Sequence, residues 1–295
     1  MHAQSSGLSA ARASPTVANR RPRVQACRHI DTALGLPALN QWGAGFGSRR
    51  VGASLLLRAH EYQMLQVDAP GVDPGEYRAA VRWQIQDLID FPAEEAALDC
   101  LQVPAASGQA SSKLFAVVTR QSLVQQNVTQ WRAAGLALNV IDIPEMALRN
   151  LAVLAGGAKA IGFVHIGLDE THLILVWQEE LCVSRQLAIG GQQLRALEEF
   201  PRGAQIERLA LEIQRTADAF ERQFSAAHLA QLWVSAVHDL EGLVAQLAGQ
   251  LSLEVKGFQL GDWIDLDPGV QAIDIDQRFD HTLAIGAALR EEPTA

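Results

Sequence analysis

Residues 161–187 carry three short apolar segments, 161–166, 171–177 and 181–187, joined by tight polar turns. Each has strand length and ends at a turn signal, so the spacing predicts an antiparallel meander. A helix is expected over 192–199. Ile206, Leu209, Ile213, Ala217, Phe220 and Phe224 then repeat at helical spacing, with charged residues between them, and mark one face of a long amphipathic helix. A strand (229–234), a helix (240–251), a strand (253–258) and a last helix (283–290) complete the pattern. Three strands followed by alternating helices and strands define an α/β chain with mixed sheets.

The first half reads less regularly. Residues 51–57 and 62–67 are expected to pair as a hairpin. Tyr77, Val81, Ile85, Leu88 and Ile89 recur at helical spacing after Asp73, Pro74 and Glu76, a capping-box-like start, and Pro92 ends that helix. Strands at 97–103 and 114–119 flank a flexible loop, AASGQASS. A helix over 122–134 closes on Gly135, a strand covers 136–142, and Pro144 opens another helix. The apolar stretch 150–168 has the length of a membrane span. Gly156, Gly157, Lys159 and His165 interrupt it, so it reads as helix, turn and strand in a soluble protein.

Charge divides the 295 residues unevenly. The net charge is −9, yet residues 1–30 hold five arginines and no acid. The remaining 19 basic residues face all 33 acidic ones, a net −14 over 31–295. Such a body repels nucleic acid and anionic lipid. The Ser/Ala/Arg-rich start lacks the apolar core of a secretory signal; residues 1–25 read as a disordered basic tail or as the product of a start codon set too far upstream. Cys27, Cys100 and Cys182 have neither disulfide nor zinc spacing and imply a reducing compartment.

Sites with a local signature are few. G-x-S-x-G, H-E-x-x-H and Walker-type motifs are absent. GAGFGS (43–48) has no preceding strand and reads as a surface loop. His165 and His172 flank a turn and should face each other across a hairpin, but no third metal ligand is identifiable, so no metal is expected. The aspartates between Asp262 and Asp280 lack calcium-loop spacing. Trp83 and Trp131 lie on the two helices around strands 97–119, where core packing and a peptide-binding groove both remain open.

The stretch GEYRAAVRWQIQDLIDFPAEEAALDC (75–100) resembles the PilM family of type IV pilus assembly proteins, and within it the MshI branch of mannose-sensitive haemagglutinin (MSHA) pili. AGLALNVIDIPEMALRNL (134–151), RQLAIGGQQL (185–194), LALEIQRTADAFERQF (209–224) and LAIGAALR (283–290) extend the likeness in order over about 50–290. The resemblance implies an actin-like, ribonuclease H-like, two-lobed fold. Its first lobe would span 26–160 with an inserted α+β subdomain at about 75–135, and its second 161–295. It further implies a cytoplasmic adaptor, peripheral at the inner membrane, that binds the tail of a PilN-like membrane protein and contacts the pilus motor. Tyr77, Trp83 and Trp131 would be its partner contacts.

Many such proteins bind ATP between the lobes, on two glycine-containing turns that usually carry an Asp. No D-x-G-like turn is visible near the N-terminus here, so the opening hairpin is expected to be incomplete. In the second turn Gly167 and Thr171 keep their places, but His165 replaces the Asp, and Asp169 and Glu170 crowd a phosphate with negative charge. A third, glycine-rich turn is replaced by Ser235-Ala236-Val237. Glu212 and Arg215 could line a base pocket or form a surface ion pair. The cleft is therefore expected to be vestigial, with no bound cofactor and no hydrolysis. The alternatives are an ATP-binding ATPase of the same assembly system and a sugar-kinase relative.

Overall fold

The computed structural model describes residues 2–4, 7–14, 21–30, 52–105, 113–229, 231–236, 242–273 and 281–290. In chain order the first part contains β1 (His2–Gln4), β2 (Gly7–Ser14), β3 (Arg23–Ile30), β4 (Ala53–Leu56), β5 (Gln63–Asp68) and α1 (Tyr77–Gln84). Then come β6 (Ala96–Gln102), β7 (Lys113–Arg120), α2 (Gln121–Ala133), β8 (Leu138–Asp142) and α3 (Pro144–Gly156). The meander is β9 (Ile161–Ile166), β10 (Thr171–Trp177) and β11 (Glu180–Leu187), followed by α4 (Gly191–Ala196) and α5 (Glu199–Gln223). β12 (Gln231–Ala236), α6 (Leu243–Gln250), β13 (Glu254–Gly257), β14 (Asp265–Leu266) and α7 (Thr282–Ala288) end the described chain. The loop at 43–48 and Asp274, Asp276 and Asp280 lie outside the described residues.

Two sheets repeat one plan. The first runs β14-β3-β2-β1-β4-β8 and the second β11-β10-β9-β12-β13. In each, three antiparallel strands are extended by parallel ones: β1, β4 and β8 in the first, β9, β12 and β13 in the second. The turn between β1 and β2 is thus the counterpart of the turn between β9 and β10.

The N-terminal stretch departs from the expected disordered tail: over its described residues it forms β1, β2 and the start of β3, and the opening hairpin is present. Ser and Ala have weak strand propensity, which made the stretch read as low complexity. Packing overrides that propensity. Ser9 and Ala10 are fully buried, and α7, itself rich in small residues, packs on β2. Residues 51–67 also depart from expectation. β4 pairs with β1 and β8, while β5 pairs with β7, so the two are not a hairpin. β5 belongs to the insert, a three-stranded sheet β5-β7-β6 whose core includes Val67, Val81, Ile85, Leu114 and Val118. The helix from Asp73 is also shorter than expected: it ends at Gln84, and no side-chain cap forms at Asp73.

The lobes meet through two helices. α3 packs on the second sheet and α7 on the first, and the two cross each other. At the crossing Asn150 Nδ2 donates to the Gly286 carbonyl at 2.9 Å, and Arg290 reaches Asp142 at 2.7 Å. No helix among the described residues is long and apolar enough to cross a membrane. The stretch 150–168 resolves into the end of α3, a turn and β9.

His281, which precedes α7, is 4% exposed and its Nδ1 has no hydrogen-bond partner. Burial, aided by the nearby His29, lowers its pKa from 6.5 to about 4. The unfolded chain therefore binds a proton that the folded chain refuses between these values. Stability should fall as pH drops through that window, by about 2 kcal/mol between pH 7 and pH 5 from this group. Chemical denaturation at the two pH values checks it: His281→Gln should flatten the dependence by that amount.

Candidate functional site

The turn from β9 to β10 closes when the Gly167 N–H donates to the Glu170 carbonyl at 2.9 Å. It rests on Gly190, where a Cβ would lie 2.6 Å from the Asp169 Cα. The Gly191 and Gln192 N–H groups, at the start of α4, donate to the carbonyls of Gly167 (2.7 Å) and Leu168 (3.0 Å). Free helix-start amides are what an anion would use, and here the turn consumes these two. Thr171 is fully buried, with its hydroxyl donating to the Ile189 carbonyl at 2.6 Å. Its oxygen is engaged in the lobe's own structure.

His165 and His172 face each other in register across β9 and β10, as the turn length implied. Ser235 on β12 flanks His165 on the other side, with Oγ 3.4 Å from Nδ1. His172 Nε2 lies 2.9 Å from the Glu170 carboxylate, which also accepts from the Gln186 amide. From the first lobe, the Tyr62 hydroxyl donates to Glu145 Oε2 at 2.6 Å. Burial pushes the Tyr62 pKa far up, and the carboxylates of Glu145, Glu170 and Asp142 add to the rise. Of these acids Glu145 touches the phenol directly, and Asp142 is paired with Arg290.

Gly167 and Thr171 thus stand on one turn, but Glu212 and Arg215 do not join them. They form an exposed i,i+3 ion pair at 3.2 Å on α5. Ser235 and Ala236 end β12, and Val237 lies outside the described residues. The first turn follows Gln4, so no carboxylate stands there, and residues 5–6 are likewise outside the described set. Among the described residues no group of three or more His, Cys, Asp or Glu side chains could hold a metal ion. All three cysteines are free thiols, and burial pushes Cys27 and Cys182 up to about 12 and Cys100 to about 11, which suppresses thiolate reactivity.

The three expected partner contacts fare differently. Trp83 is 68% exposed, whereas Tyr77 packs partly buried on the insert's core. Trp131 is 3% exposed and offers no surface to a partner. Its indole fills a small core with Ala10 and Leu55 from the first sheet and with Ala134 and Leu136. Two cavities flank α2, and sequence reading found neither: one lies within the single stretch 128–138, and the other joins residues far apart in the chain. One, of about 430 Å³, lies between α2 and β8 and is lined by Val128, Arg132, Leu136 and Leu138. The other, of about 360 Å³, is bounded by the start of β5, residues 90–91 and the start of α2. Trp83 lines neither.

The family profile described as "Type IV pilus assembly protein PilM" matches residues 64–200. No curated protein sequence matches the chain significantly. Among solved structures, the chain is similar to one titled "PilM-PilN type IV pilus biogenesis complex", with a TM-score of 0.71 and 20% identity over 98% of this chain and 96% of that one. A more distant likeness, TM-score 0.47 and 12% identity over 93% of both chains, is to the cytoplasmic domain of EpsL, an inner-membrane component of the type II secretion system of Vibrio cholerae. Another, TM-score 0.43 and 9% identity over 94% of this chain and 96% of that one, is to a Bacteroides thetaiotaomicron protein of actin-like ATPase fold and unknown function. The chain has an actin-like, mixed α/β fold, and its segment 64–200 is similar to the PilM family of type IV pilus assembly proteins.

Proposed function

We propose that this protein is a PilM-like adaptor of a type IV pilus assembly system of the MSHA type, MshI branch. It binds the cytoplasmic tail of a PilN-like inner-membrane protein and is held at that membrane by its partner. Contact with motor components would follow from that position. The observation that carries this reading is the likeness of nearly the whole chain, insert included, to the structure titled as a PilM–PilN complex. The two cavities beside α2 give a peptide tail places to enter. Capture of the co-encoded PilN-like tail by the purified, folded protein tests the reading, and failure to capture it counts against it.

The cleft does not turn over ATP. This part of the proposal is supported by the Glu170 carboxylate, which sits on the second turn, and by the α4 amides donated to that turn's own carbonyls. Titration with labelled ATP and magnesium should show no saturable binding up to millimolar nucleotide. A dissociation constant in the low micromolar range would overturn the vestigial-cleft reading and favour an ATPase.

A further inference from the structure

The long helix α5 covers one face of the second sheet. Gly162 and Leu175 pair across β9 and β10, and Trp177 continues their face; Phe224, just beyond α5, packs on the Trp177 ring with centroids 5.8 Å apart. α3 covers the opposite face, where its Gly156 lies against Ile161. The outer side of α5 is therefore turned away from the helix crossing that joins the lobes. Positions 200, 204, 207, 211, 215, 218 and 222 are all exposed on that side. Their steps alternate between four and three residues, close to the helical repeat, so they form a straight stripe along the axis. Two of them are large and apolar: Phe200 is 89% exposed and Leu211 49%.

The stripe is complementary to itself. If two α5 helices lie antiparallel about a twofold axis through Leu211, each residue before Leu211 faces the one equally far beyond it on the other copy. Leu211 then meets Leu211, Glu207 meets Arg215, Ala204 meets Asp218, and Phe200 lies under the Arg222 guanidinium, the last three pairs each occurring twice. The charges beside the stripe also avoid their like: Arg208 falls to Gln214, Arg202 to Phe220, Glu212 to Ala210 and Glu221 to Pro201. A parallel pair in register would instead set every charge against its own copy. Within one chain, Glu207 and Arg222 have no ion pair or side-chain hydrogen bond among the described residues. Arg215 has only the exposed pair with Glu212, a weak competitor.

We propose that α5 is a self-association surface, on which a second copy of this chain docks its own α5 antiparallel, centred on Leu211. The apolar centre excludes water and the flanking pairs set direction and register. One pair of helices covers less than the about 1,600 Å² of a standard interface. The dimer is therefore weak and reversible, with a dissociation constant on the order of 10 µM.

Sedimentation of the full-length protein from micromolar to submillimolar concentration tests the proposal. A monomer–dimer equilibrium is expected, and it should weaken as salt is added. Leu211→Glu sets two carboxylates on the axis and should raise the dissociation constant at least tenfold, with the melting temperature unchanged because the side chain is half exposed. Glu207→Arg and Arg215→Glu should each weaken the dimer at least tenfold, and the two together should bring it back to within threefold of wild type, because each new charge then meets its opposite on the other copy. Wild-type protein that stays monomeric throughout overturns the proposal. So does a dimer that Leu211→Glu leaves intact, or a double reversal no tighter than the single ones.

Discussion

Gly286→Ala should abolish cooperative folding or lower the melting temperature by more than 10 °C. A Cβ at this position would overlap the Ala147 carbonyl oxygen and lie 2.8 Å from its carbonyl carbon. Both are backbone atoms of α3, so no side-chain rotation relieves the clash and the helices must separate. Overpacking of this kind costs about 1–3 kcal/mol or more. Separation would also stretch the Asn150 bond to the Gly286 carbonyl and the Arg290 reach to Asp142. Breaking a partly buried charged hydrogen bond adds about 1.5–3 kcal/mol. Against a total stability of about 5–15 kcal/mol, the sum is large. Circular dichroism melts check it. A fully stable Gly286→Ala protein would mean that α3 and α7 do not cross this closely.

Gly190→Ala should be nearly as damaging, but locally. The new methyl would meet the Leu168 carbonyl oxygen and the Asp169 backbone, so the turn between β9 and β10 must lift off its seat. Lifting breaks the bonds from Gly191 and Gln192 to that turn and releases the start of α4. A loss of about 2–4 kcal/mol is expected from strain plus two unmade backbone bonds. Amide exchange should accelerate at Gly191 and Gln192 while β12 and β13 stay protected, because those strands pair on the far side of β9. Uniform acceleration over the second sheet would contradict this local account.

How legible these features were depends on whether local physics decides them. The meander β9 to β11 and the long helix α5 were plain, because apolar periodicity and turn length fix them within a few residues of each other. The opposition of His165 and His172 followed from one turn. The N-terminal hairpin was not legible: Ser9 and Ala10 carry almost no hydrophobic signal, and what orders them is α7, some 270 residues later. The partition of β4 and β5 into different sheets was hidden for the same reason, since pairing with β8 and β7 is a long-range choice. Within the site, Gly167 and Thr171 were found by resemblance to a known turn. Tyr62, Glu145 and Asp142 escaped notice because no spacing rule joins the start of an insert to a helix eighty residues on. Trp131 was ambiguous from the start, as any aromatic on an amphipathic helix is, and only its neighbours Ala10 and Leu55 resolve it.

The burial of Trp131 has a mechanical consequence. The insert is attached to the first lobe by two chain crossings, which alone would leave it free to swing. An indole lodged between α2, β2 and β4 removes that freedom, because swinging the insert would pull a large apolar ring into water at a cost of about 2–3 kcal/mol. Load applied to the insert is therefore carried into the sheet rather than absorbed by a hinge. Trp131 thus stiffens the joint between the insert and the first sheet.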